Sequence, residues 1–102
     1  MTKQHYYFKL IAPRPTFAQD MTAEERALME EHGNYCAREF EAGKILLYGP
    51  VMASDGAFGL GILEVANADE ARQFGDSDPS VRAGMNCFEF YPMRVSNARA
   101  KS

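Results

Sequence analysis

The hydrophobic and polar residues of this chain follow two periods, which divide its first half into a strand and a long helix. Residues 5–11, HYYFKLI, are rich in aromatic and β-branched side chains, which is typical of a strand. Thr22 followed by Glu25 is the capping-box pattern that opens a helix. Apolar residues then recur at helical spacing, and Gly43 is suited to end the helix. The proline-containing segment before Thr22 is predicted to be a loop.

The second half of the chain predicts two further helical segments and three strands. Asn67 is suited to cap a helix over residues 68–75, and Asp78 is suited to cap a short helical turn that begins at Pro79. The strands are expected at residues 44–48, ending at Gly49-Pro50, and at 57–65 and 85–91. This order of elements is the split βαβ, or ferredoxin-like, βαββαβ pattern, an α+β fold with a four-stranded antiparallel sheet.

Apolar side chains occupy both faces of the predicted sheet. In the last strand Phe88 and Phe90 alternate with Tyr91, and the first strand has the same two-sided pattern. Two helices would cover one face and leave the other in water. The most economical way to bury the second face is a second copy of the chain, so we expect a homodimer.

Composition and charge narrow the functional class. The chain has 102 residues, of which 46% are hydrophobic, so it fits one small domain with its own core. A net charge of −3 disfavours nucleic-acid binding. Cys36 and Cys87 form no disulfide framework, and no apolar run approaches the ~18 residues of a membrane span. We expect a cytoplasmic protein without membrane partners, with residues 1–95 as the domain and 96–102 as a flexible tail.

His32 is the most informative residue in the sequence. It is one of two histidines, and it lies in the apolar stripe of the long helix between Met29 and Cys36. A side chain that titrates near neutrality, at a position that suits leucine, is either a core histidine with a satisfied nitrogen or an acid–base residue. No His/Cys cluster at metal-ligand spacing and no phosphate-binding glycine loop is present, so neither a metal nor a cofactor is expected.

The central stretch of the chain resembles the YCII-related (YciI-like) family. The resemblance lies in EEH followed by Tyr35, in AGKILLYGP and in the glycine-containing strand after it, and SDPSVRAG is similar to the family's DP-x-V-x-A-G segment. It extends over about residues 6–95. It implies a subunit of a dimeric α+β barrel and an active site built on His32 and Asp78. The assigned branch of the family implies lyase-type chemistry on chlorinated aromatic ring compounds.

Four further residues are candidate ligand contacts, each with a simpler alternative. Arg14 lies in the proline-stiffened loop and either clamps an anionic group or is a surface arginine. Tyr35 lies about one turn from His32 and either donates a hydrogen bond to a ligand or packs in the core. Gly49 and Pro50 either line the mouth of a pocket or only shape the backbone.

The leading hypothesis is a small cofactor-independent enzyme that acts on a small organic molecule. His32 would be the general acid or base and Asp78 would orient it, which suits elimination, isomerisation or hydrolysis. Asp76 competes with Asp78 for this role, and Asp78 has an independent reason to be present as a helix cap. The alternative function is a non-catalytic module that binds a small ligand or serves a partner, with His32 as a polar anchor.

Overall fold

Strands and helices alternate along the chain in the order expected for a split βαβ fold. The computed structural model describes residues 2–99. Its elements are β1 (Gln4–Ile11), α1 (Phe17–Asp20), α2 (Ala23–Glu41), β2 (Ile45–Val51), β3 (Phe58–Val65), α3 (Ala68–Asp76), α4 (Pro79–Arg82) and β4 (Cys87–Met93). Residues 96–99 of the predicted tail form neither helix nor strand, and 100–102 lie outside the described residues. The domain boundary and the flexibility of the tail stay predictions.

The four strands form one antiparallel sheet in the order β2-β3-β1-β4. Alternate residues of β1, namely Tyr6, Phe8 and Leu10, are buried and join the core with Leu63 of β3. Ile45 of β2 and Val65 of β3 extend that core, and the helices contribute Cys36, Ala71 and Phe74 to it. The α+β, ferredoxin-like prediction is therefore confirmed. Among the described helices, none is both long enough and apolar enough to cross a membrane.

Two strands run further than the sequence predicts. β2 continues through Gly49 and Pro50 to Val51, and β4 continues through Pro92 to Met93. Proline lacks an N–H for the ladder, so it usually ends a strand. Both are edge strands, however, so the missing donor can face away from the sheet without loss of a ladder hydrogen bond.

Helix α2 begins and ends where the sequence predicts. The Thr22 side chain accepts from the Glu25 N–H, and the Glu25 carboxylate accepts from the Thr22 N–H, which completes the capping box. At the other end Gly43 adopts a φ of 82°, the left-handed conformation that glycine tolerates best. Among the residues of α2, Cys36 alone is buried.

Helix α3 packs much closer to the sheet than α2 does. A Cβ atom on Gly75 would lie 2.5 Å from Cζ of Phe88 on β4, so this approach requires glycine. Directly after α3, the Asp78 side chain accepts from the Ser80 N–H and caps the short helix α4. The segment omitted from the sequence prediction is α1, which falls in the expected loop and has no side-chain cap.

Candidate active site

A cavity of about 470 Å³ lies between α1, α2 and the sheet. It exists because α2 stands off the sheet and because Gly59 and Gly61 carry no side chains on the strand beneath it. Gly49 and Pro50 are among the residues that line it. The other walls are mostly apolar and include Phe8, Leu10, Phe17, Met29 and Cys36. Concave, largely apolar cavities of this size are typical of small-molecule sites.

His32 lines this cavity and is held by Asp78. The Nδ1 atom of His32 lies 2.6 Å from Oδ2 of Asp78, and the exposed fractions of the two side chains are 19% and 1%. The other carboxylate oxygen, Oδ1, accepts hydrogen bonds from the N–H and the hydroxyl of Ser80, both at 2.8 Å. Asp78 therefore caps α4 and binds the imidazole at once. Its competitor Asp76 is exposed.

The contact changes the acid–base properties of both groups. Burial opposes a charge on His32, but the hydrogen bond to Asp78 and the contact with Cys36 outweigh it and raise the pKa of His32 to about 10. Burial also opposes a charge on Asp78, but His32 and Ser80 outweigh it and keep the pKa of the carboxyl below its usual value. At neutral pH the pair is therefore an imidazolium–carboxylate ion pair with Nδ1 occupied.

Cys36 completes a group of three possible metal ligands with His32 and Asp78, whose donor atoms lie within 4.8 Å of one another. The sulfur is 3.8 and 3.7 Å from the two ring nitrogens of His32. Such equal distances place it over the ring face, because an in-plane sulfur would collide with Cε1. The 2.6 Å between Nδ1 and Oδ2 is also shorter than the roughly 3.3 Å that separates two tetrahedral zinc ligands. The geometry is that of a hydrogen-bonded pair beside a thiol.

The structure does not bring Arg14 to the cavity. Its guanidinium nitrogens donate to both carboxylate oxygens of Glu25 at 2.8 and 2.9 Å, and to Asp20 at 2.8 Å. These bonds tie the loop to the start of α2. The loop instead contributes Phe17 and Ala18 of α1 to the cavity wall.

Tyr35 also lies apart from the cavity. Its hydroxyl donates to the Phe74 carbonyl at 2.7 Å, and the two rings stack with centroids 5.4 Å apart. Burial, with the nearby Glu39 and Asp78 charges, raises the pKa of this hydroxyl. Tyr35 borders a separate polar pocket of about 340 Å³ with Glu39 and Ser77. These contacts are those of a core aromatic residue that joins α2 to α3.

The model of the YCII-related domain matches residues 6–95. The chain belongs to the YCII-related domain family. No curated protein matches it in sequence. A solved structure with a similar fold is 5-chloro-2-hydroxyhydroquinone dehydrochlorinase (TftG) from Burkholderia phenoliruptrix, in complex with 2,5-dihydroxybenzoquinone. It is 18% identical, has a TM-score of 0.55, and the match covers 91% of this chain and 95% of that one.

The cavity of this YCII-related chain has one further polar residue that sequence reasoning missed. Asn86 lines the cavity and is 5% exposed. It stands just before β4, where the sequence predicts only a strand, and no periodicity distinguishes it. Asp78, Ser80 and Asn86 are the buried polar residues among residues 2–99, and all three belong to the segment around α4. The buried polar part of the site is thus concentrated in one short stretch.

Proposed function

We propose that this protein is a small cofactor-independent enzyme that exchanges a proton between His32 and a small organic molecule in the cavity. The observation that carries the proposal is the 2.6 Å contact between His32 and Asp78 at the wall of a cavity of about 470 Å³. Since Asp78 occupies Nδ1, Nε2 is the ring nitrogen left for a ligand. A carboxylate at Nδ1 fixes the tautomer and stabilises the imidazolium, as in other acid–base histidines.

The raised pKa determines the direction of the first step. With a pKa of about 10, His32 carries its proton at neutral pH and acts first as a general acid, or as the partner of an anionic ligand. Once it has given up that proton, the neutral Nε2 can accept one and restore the imidazolium. This cycle suits an elimination of the lyase type, an isomerisation or a hydrolysis, none of which requires a redox cofactor.

The walls of the cavity indicate the kind of molecule that it takes. Phe8, Phe17 and Met29 present hydrocarbon and thioether groups, which favour a flat or compact apolar body. The structural neighbour holds 2,5-dihydroxybenzoquinone, a ring compound with oxygen substituents. We propose a substrate of this general kind, a small ring compound with few polar groups.

The proposed functional unit is a homodimer. The helices cover one face of the sheet, and the other carries a row of apolar side chains across all four strands. Strand register places Leu47, Ile62, Tyr7 and Tyr91 in this row. A second copy packed on this face would produce the dimeric α+β barrel.

The proposed location of the protein is the cytoplasm. Cys36 and Cys87 are unpaired, which suits that reducing compartment.

Turnover of a panel of chlorinated and hydroxylated ring compounds tests the proposal. We expect His32→Gln and Asp78→Asn each to reduce turnover by about 100-fold or more, the usual contribution of a positioned acid–base group. His5→Gln is the matched control. His5 also contacts a carboxylate, with its Nε2 3.0 Å from Oε2 of Glu64, but it lies on the face of the sheet opposite the cavity. This variant should retain the wild-type rate.

Two results would contradict the proposal. One is wild-type turnover in His32→Gln. The other is saturable binding of panel compounds without any turnover, which would favour the ligand-binding module, an alternative already consistent with the apolar walls of the cavity.

A further inference from the structure

The side-chain amide of Asn86 is a buried group of the cavity wall that the His32–Asp78 pair does not use. Its Oδ1 atom has no hydrogen-bond partner within residues 2–99. Its Nδ2 atom lies 3.5 Å from the sulfur of Met29, which is a weak acceptor. Buried polar side-chain atoms nearly always have a partner, so an exception at a cavity wall calls for an explanation.

The backbone holds this amide close to the ion pair. The N–H of Asn86 donates to the Ser80 carbonyl at 3.1 Å, and Ser80 donates twice to Asp78. On the opposite side, the Met29 side chain that touches Asn86 stands three residues before His32 on α2. Residues three apart on a helix are neighbours on its surface, with Cβ atoms roughly 5–6 Å apart. Asn86, Met29 and His32 line the same cavity, and Oδ1 of Asn86 is fully buried. One small molecule can therefore contact both Asn86 and His32 once the flexible Met29 side chain turns aside.

We infer that Asn86 is a ligand-binding residue, whose Oδ1 accepts a hydrogen bond from a hydroxyl group on a small, otherwise apolar molecule in this cavity. The inference deepens the proposed function and rests on it for the existence of such a ligand. A hydroxyl is the matching group because the amide oxygen is an acceptor only. The apolar walls provided by Phe8, Leu10 and Met29 suit the remainder of the molecule. The cavity then prefers ligands with a hydroxyl group, because a ligand without a donor leaves the Oδ1 of Asn86 without a hydrogen bond.

Three ring compounds of similar size test the inference on the wild-type protein without knowledge of the substrate. Phenol offers a hydroxyl donor, anisole offers an oxygen without a donor, and toluene offers neither. Calorimetric titration or thermal stabilisation should show that phenol binds about 10-fold more tightly than anisole, which is the value of one hydrogen bond to a buried acceptor.

Asn86→Leu removes the amide and keeps the branched shape of the side chain, and the adjoining cavity has room for its larger methyl groups. We expect this variant to lose the preference for phenol while it binds toluene as well as the wild type or better. Its Tm should not fall, because the change removes an unsatisfied buried group, whereas a purely structural asparagine would lower the Tm on replacement. Asn34→Leu is the matched control, since Asn34 is exposed on α2 and does not line the cavity. It should keep the wild-type preference.

The outcomes separate this inference from the proposed function. Equal binding of the three compounds by the wild type, binding of none of them, or a phenol preference that survives in Asn86→Leu would overturn it. The inference is supported if Asn86→Leu loses the preference for phenol while Asn34→Leu keeps it. This holds even if His32→Gln leaves turnover unchanged. That last result would remove the proposed acid–base role and leave the hydroxyl-binding role of Asn86 in place.

Discussion

At the scale of single residues, the site depends on a hydrogen bond between two side chains from distant parts of the chain. His32 lies on α2 and Asp78 lies 46 residues later, at the cap of α4. Periodicity singles out His32, because an imidazole in an apolar stripe is unusual. Asp78 is identifiable only as a cap from its position before Pro79, and its pairing with His32 enters through the family resemblance. Spacing along the chain contains no information on the distance between the two side chains.

The pair predicts a definite dependence of stability on pH. The pKa of His32 rises from 6.5 to about 10 on folding, so its stabilising effect is complete below pH 6.5 and disappears as the pH rises through about 10. The pKa of Asp78 falls below 3.8, so its effect is present above that pH and disappears in acid. The free energy of unfolding should therefore decline between pH 6.5 and 10, as measured by urea titration.

Comparison with His32→Gln isolates this effect from the titration of tyrosine, lysine and cysteine. The difference in unfolding free energy between wild type and His32→Gln should be larger at pH 6 than at pH 9.5. A difference that stays constant across this range would show that His32 has an ordinary pKa in the folded protein.

At the scale of elements, local signals are reliable where the backbone of the element itself decides the structure. The capping box at Thr22 and the glycine at position 43 fix both ends of α2, and both are visible in the sequence. Pro50 and Pro92 mislead because their effect depends on whether a strand lies at the edge of the sheet, which is a property of the topology. Helix α1 is missed for a different reason: no side chain caps it, so the sequence contains no signal for its start.

Gly75 provides a test of the packing between α3 and β4. A methyl group there would meet the Phe88 ring at 2.5 to 2.6 Å, so Gly75→Ala should displace either the ring, which stacks on Phe8, or the helix. We expect a loss of about 2 kcal/mol in the free energy of unfolding, typical of an overpacked core. Gly33→Ala on α2 is the control, because nothing lies within 4 Å of its added Cβ.

The control variant should gain about 0.5–1 kcal/mol, since alanine favours a helix interior over glycine. Urea denaturation of the two variants measures both effects. Equal stability of Gly75→Ala and the wild type would contradict the tight packing of Gly75 against the Phe88 ring.

At the scale of the whole molecule, the two faces of the sheet have different roles. On the helix side, the stand-off of α2 and the glycines of β3 leave the cavity, and that combination is not predictable from either element alone. On the other side, Leu47 and Tyr91 are each 50% exposed in the single chain. Exposed apolar residues in a continuous row mark an interaction surface. The two-sided strand pattern in the sequence predicts this row, although it does not identify what covers it.

The row predicts that the 11.4 kDa chain sediments as a dimer of about twice that mass at micromolar concentration. Ile62 stands in the middle of the row, since its register partners are Tyr7 on β1 and Leu47 on β2. Ile62→Glu would bury a carboxylate in the interface and should shift the protein to the monomer. Ala37→Glu places the same charge on the exposed side of α2 and should leave the dimer intact. A monomeric wild type, or a dimer that survives Ile62→Glu, would exclude this face as the dimer interface and leave the row in contact with water.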